Sequence, residues 1–225
     1  MPSVINEITP YLPPQSLTSS AFSPKKINFS LKKTFLDSQT GWHLPLLKLQ
    51  GNNMDQVLSV SKSDQVLYYK EAALRSKLIK SPNIMEKDYW VCWALQQIFS
   101  IPEISSHITF KGGTSLSKCY GMIERFSEDC DLTINKEFLG ITEAAETIAS
   151  KGRNQRDKSL NILANAAKNK VNNFIKPLLE NKFKLALTNY LESNEWKIES
   201  DPSDSDGQTL LFYYPSVLDV DQNRY

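Results

Sequence analysis

The chain has little with which to build several common kinds of site. Its 225 residues include two histidines, His43 and His107, too few for a histidine-based triad or an ordinary zinc site. Three cysteines (Cys92, Cys119 and Cys130) show no metal-ligand spacing and an odd count, so they read as buried, reduced thiols. No apolar run approaches the roughly 18 residues that a membrane-spanning helix needs. Net charge is only +1, so no global field draws the chain to nucleic acid, and any such surface must be local. The first residues lack the charged start and apolar core of a secretory signal, and they are too poor in arginine for a mitochondrial presequence. These absences predict a soluble, cytoplasmic chain. A hydrophobic content of 40% and a charged content of 23% suit one domain with a good core, or two small ones.

One stretch stands out, residues 110–134, FKGGTSLSKCYGMIERFSEDCDLTI. The β-branched run Ile108, Thr109 and Phe110 ends at Gly112-Gly113, where φ > 0 is open and a backbone can approach a ligand closely. A helix-compatible segment follows from Thr114 to Tyr120 and stops at Gly121. Its free N–H groups and positive dipole end favour an anion such as a phosphate. Asp129 and Asp131 are two apart in a strand, which sets them on one face. Paired carboxylates repel unless a cation lies between them, and oxygen-only ligands suit Mg²⁺ or Mn²⁺. A lone Gly-Gly is usually a turn, and a lone Asp-x-Asp usually a solvated strand edge. In this order and this close, they describe a phosphate cradle beside a divalent-metal site.

KGGTSLSK followed by RFSEDCDL resembles the signature of the AbiEii/AbiGii toxin family of nucleotidyltransferases, within the polymerase-β-like superfamily. MEKDYWVCWALQQIF, residues 85–99, is similar to the helix preceding that signature. The family's members serve as toxins of type IV toxin–antitoxin or abortive-infection systems. The resemblance implies that Gly112, Gly113, Thr114 and Ser115 cradle an NTP triphosphate and that Asp129 and Asp131 are the catalytic, metal-binding pair. Lys118, one helical turn along, is a further candidate for a phosphate contact. Lys111, Arg125 and Ser127 match the pattern without an assigned role. The implied reaction is transfer of a nucleoside monophosphate from GTP or a pyrimidine NTP to an acceptor such as tRNA, with Mg²⁺ or Mn²⁺ as cofactor. A cognate antitoxin acting at the gene level is the implied partner. The superfamily usually adds a third carboxylate on a later strand beside the aspartate pair. Only Asp219 and Asp221 are available late in this chain, in a loop that makes them poor substitutes, so the chain reads as cut short. The alternative is therefore a catalytically incomplete remnant that binds nucleotide or RNA without transfer.

Residues 1–53 hold six prolines and many serines, the composition of a flexible or mis-called N-terminal arm, and Met54 reads as the natural start. Residues 54–225 then form the nucleotidyltransferase domain. Ser63 is expected to cap a helix from Asp64 to Leu78, broken by Ser81-Pro82-Asn83. A second helix, Ile84 to Phe99, sets Met85, Tyr89, Cys92, Trp93, Gln96 and Phe99 around one stripe, with Trp90 and Trp93 as core residues. Glu86, Lys87 and Asp88 read as partners of its dipole. Pro102 precedes Ile108–Phe110, taken as the central strand. Helices are expected over Thr142–Ser150, Asn154–Glu180 and Lys182–Leu191, with Pro177 at a join. Residues 151–184 carry nine Lys or Arg against Asp157 and Glu180, either a solvated face or an RNA-backbone surface. Strands Trp196–Glu199 and Thr209–Tyr214 flank DPSDSDG, which lacks EF-hand spacing and reads as a hairpin loop. The expected fold is α+β, a small mixed sheet packed by helices.

Overall fold

A computed structural model describes residues 24–33, 54–77, 79–113, 115 and 129–218. Its framework is a five-stranded mixed sheet. The strands are β1 (Pro24–Lys33), β2 (Ile108–Lys111), β3 (Asp129–Ile134), β4 (Lys197–Ser200) and β5 (Thr209–Pro215), in the order β2-β3-β1-β5-β4. β1 runs parallel to β3 and antiparallel to β5, while β2–β3 and β4–β5 are antiparallel pairs. The helices are α1 (Lys62–Arg75), α2 (Pro82–Phe99), α3 (Pro102–Ser105), α4 (Ala145–Ser150), α5 (Arg153–Lys170) and α6 (Lys176–Leu187). The fold is α+β, as the sequence predicts. No helix among the described residues is long and apolar enough to cross a membrane.

The middle strand comes from an unexpected place. Pro24–Lys33 lies within the stretch read as an arm ahead of Met54, yet it pairs on both edges, with Phe29 opposite Cys130 and opposite Leu210. For these ten residues the arm reading is corrected; the remainder of residues 1–53 lies outside the described residues. The physical reason is alternation. Ile27, Phe29 and Leu31 are 0%, 2% and 1% exposed. Each such side chain contributes about 1.5–3 kcal/mol on full burial. The other corrected strand is β2, which forms the sheet's edge instead of its centre.

All three side chains face a core that α2 and α6 close. Trp90 stacks on Tyr214 at 5.3 Å, and Trp93 meets Phe183 edge-on at 5.0 Å and Phe212 at 6.0 Å. Both tryptophans are therefore core residues, as read. The expected α2 stripe is corrected, because Met85, Tyr89, Cys92, Gln96 and Phe99 are only partly buried. The sheet, α1, α3 and α6 all touch α2, so its buried arc widens to take in Glu86, Val91, Ala94, Leu95 and Ile98. Glu86, taken from sequence as a dipole partner, is 0% exposed. Its Oε2 accepts hydrogen bonds from Lys25 Nζ (2.9 Å) and Ser216 Oγ (2.7 Å), and its Oε1 accepts from Val217 N (2.7 Å). One carboxylate thus ties the start of β1 and the exit of β5 to α2.

Smaller differences have local causes. Ser61, not Ser63, caps α1 by accepting from Asp64 N at 3.2 Å, and α1 ends at Arg75 instead of Leu78. The join expected at Pro177 lies a few residues earlier, and the helix runs on past Glu180 without interruption. A π-helical turn, Val171–Ile175, joins α5 to α6, and Pro177 sits in the first turn of α6, where its missing N–H is tolerated. The β4–β5 hairpin is as read. Its loop carboxylates serve the loop itself, with Asp204 accepting from Asp206 N and Gln208 N, each at 2.9 Å. Asp201 Oδ1 accepts from Ser203 N at 2.8 Å.

Candidate functional site

β3 divides its residues between two faces. Cys130, Leu132 and Ile134 are buried on the core side. Positions 129, 131 and 133 fall on the opposite face by strand alternation. Register carries that division across the sheet. Lys111 of β2 pairs with Asp131, Asp131 pairs with Ser30 of β1, and Ser30 pairs with Thr209 of β5. A row of four polar residues therefore crosses four strands. The neighbouring row runs from Asp129 to Asn28, Leu211 and Glu199.

The Gly-Gly turn meets this face directly. β2 ends at Lys111, and Gly112, Gly113 and Ser115 are helical. Gly112 has φ +76°, left-handed backbone that glycine adopts without strain. A β-carbon placed there would lie 2.1 Å from Asp131 Oδ2 and 3.0 Å from its Cγ. Only glycine lets the turn and the carboxylate come this close. Ser115 is 5% exposed, and its Oγ donates to the Gly112 carbonyl at 3.2 Å, bracing the first helical turn. The structure thus brings Gly112, Gly113, Ser115 and Asp131 together.

Thr114, Lys118, Arg125 and Ser127 lie outside the described residues, as do the side chain of Asp129 and the late acids Asp219 and Asp221. Asp129 is described as the first position of β3, two before Asp131. Three neighbours carried no role in the sequence reading: Lys111, in register with Asp131, and Asn28 and Ser30, in register with the two aspartates. The signal for Asn28 and Ser30 is the alternation of INFSL, which sets them opposite the apolar side chains of β1.

Among the described residues, no group of three or more His, Cys, Asp or Glu gathers as a metal site. The candidate donors are the two aspartates of β3. Oxygen-only donors are the kind a hard divalent cation takes, and the missing β-carbon at Gly112 is what leaves the Asp131 carboxylate its place against the turn. Elsewhere, the basic stretch is partly committed. Lys151 pairs with Glu143 at 2.6 Å, and Lys170 Nζ lies 4.2 Å above the Phe138 ring, which stacks on His107. Arg153, Arg156, Lys158, Lys168 and Lys184 are exposed.

The family model described as "Nucleotidyl transferase AbiEii toxin, Type IV TA system" matches residues 93–224, more than half of the 225. The match contains the Gly-Gly turn and the aspartate strand and excludes β1. No curated protein and no solved structure matches the chain.

Proposed function

We propose that this chain, which belongs to the AbiEii family of nucleotidyltransferase toxins of type IV toxin–antitoxin systems, is a metal-dependent enzyme that transfers a nucleoside monophosphate from an NTP to tRNA. The observation that carries the reading is Gly112, held at φ +76° against the Asp131 carboxylate, so that the helix-opening turn and an acidic strand share one spot. N–H groups at Gly113, Thr114 and Ser115 would hold the triphosphate, helped by the dipole end. Lys118 would contact a phosphate one turn further along. Asp129 and Asp131 would hold Mg²⁺ or Mn²⁺, which when bound neutralises phosphate charge and lowers the pKa of a bound hydroxyl. An acceptor hydroxyl oxygen attacks the α-phosphorus, the bond from that phosphorus to the bridging oxygen breaks, pyrophosphate leaves and the hydroxyl proton is released. The substrate is GTP or a pyrimidine NTP, and the outcome is growth arrest that a cognate antitoxin relieves. The exposed Arg153, Arg156, Lys158 and Lys168 are the phosphate-contacting candidates for tRNA.

Incubating each α-labelled NTP with total tRNA and Mg²⁺ tests the proposal. Label in tRNA that disappears with Asp129→Ala supports it, and no label from any NTP contradicts it. A second reading, nucleotide binding without transfer, is favoured by one observation: the residues in register beside the aspartates on β1 are Asn28 and Ser30, neither of them a carboxylate. NTP binding with no label transfer would select it.

A further inference from the structure

β1 is the parallel neighbour of β3, with Asn28 beside Asp129 and Ser30 beside Asp131. Directly paired positions on adjacent strands share a sheet face. That face is firmly set. Slipping β1 by one residue would turn Ile27, Phe29 and Leu31 out of the core and put Asn28 and Ser30 into it. Both polar residues are half-buried, and both lie outside the stretch that the family model matches.

We infer that β1 is a wall of the aspartate site, with Asn28 and Ser30 as positioning residues for Asp129 and Asp131 that set its affinity for a divalent cation. The inference rests on the metal reading above. A carboxamide and a hydroxyl orient neighbouring carboxylates, or donate to them, without adding charge. β1, β2 and β5 contain no carboxylate. In the row of Asp129 and Asn28 the next carboxylate is Glu199, paired in register with Leu211. At ~4.8 Å per strand it is about 14 Å from Asp129. There Glu199 Oε1 accepts from Lys197 Nζ at 2.9 Å. A cation held on β3 therefore meets two strand carboxylates and neutral neighbours on β1. Affinity for hard cations rises with the number of charged ligands. Position 28 is where a third charge would sit beside Asp129.

The test is Mn²⁺ affinity of the full chain, read from the electron paramagnetic resonance signal of free Mn²⁺, with a thermal midpoint for every variant. Asn28→Asp changes shape very little and is expected to tighten Mn²⁺ about tenfold, while Ser30→Ala weakens it several-fold. A purely structural role for β1 would not make Asn28→Asp bind more tightly. Equal affinity in the parent chain and Asn28→Asp overturns the inference. Asp131→Asn separates the two levels. If it abolishes Mn²⁺ binding while Asn28→Asp changes nothing, the inference falls and the metal reading stands. If Asp131→Asn leaves binding intact, the metal reading falls and the inference falls with it.

Discussion

Gly112 and Asp131 are in contact to a degree that only glycine permits: a β-carbon at position 112 would lie 2.1 Å from Asp131 Oδ2. The left-handed φ of +76° adds a second constraint at the same residue. Gly112→Ala combines strain of roughly 1–2 kcal/mol with displacement of the carboxylate. The expected result is loss of NTP-dependent label transfer of at least about 100-fold, as for a ~1 Å displacement in an active site. The change in thermal midpoint should be modest, because Gly112 is exposed at the sheet's edge. Ser115→Ala removes the brace to the Gly112 carbonyl and should cost less.

Glu86 is the second pivot, buried and accepting from Lys25, Ser216 and Val217. Glu86→Ala takes the buried carboxylate from three donors: Lys25 keeps only the neutral Asn83 Oδ1, Ser216 keeps the Leu218 carbonyl, and Val217 N loses its acceptor. Breaking such a buried pair costs about 3–5 kcal/mol. Denaturant unfolding should show that loss, with Glu86→Gln intermediate because its carbonyl oxygen can still accept. A loss below about 1 kcal/mol, the range of a surface pair, would contradict the clamp.

Removing residues 1–33 deletes the strand between β3 and β5. It exposes the buried edges of both and the core beneath Ile27, Phe29 and Leu31. The expected outcome is aggregation, with no cooperative thermal transition. A chain without residues 1–33 that is folded and monomeric, with a sharp transition, would show that β1 is dispensable.

The β4–β5 loop gives a pH dependence. Burial pushes Asp204 up, but hydrogen bonds from Thr209, Gln208 and Asp206 outweigh it and hold the carboxyl below its ordinary value. Its folded pKa is depressed, so its contribution to stability is present above the unfolded value of about 3.9 and is lost as pH falls through the folded one. Asp204→Asn should therefore be less stable than the parent chain at pH 7, and the difference should shrink as pH falls below about 4. Paired unfolding curves at the two pH values check this, and an equal gap at both would contradict it.

The legible parts of the molecule were those whose signals are local. Gly112-Gly113 and the Asp129/Asp131 spacing lie within twenty residues of each other, and the β4–β5 hairpin is bracketed by its own turn residues. β1 was hidden because its partners, β3 and β5, follow it by about a hundred and about 180 residues, and because prolines and serines surround it. Only the alternation of Ile27, Phe29 and Leu31 marked it. Glu86 was misread because an acid in a first helical turn usually faces water, and the donors that bury it come from β1 and the exit of β5. The helical join falls at Val171–Ile175 and not at Pro177 because a π-helical turn leaves no sequence mark of its own. In the site, Asn28 and Ser30 escaped notice for the same reason as β1.

Nucleotidyl transfer is tested most directly by following two labels of one NTP in parallel, at the α-phosphate and at the γ-phosphate, with tRNA, Mg²⁺ and the full chain. Transfer at Asp129 and Asp131 predicts α-label in tRNA, γ-label in released pyrophosphate, and neither product with Asp131→Asn. Label entering tRNA from the γ-phosphate, or α-label transfer undiminished by Asp131→Asn, would contradict it.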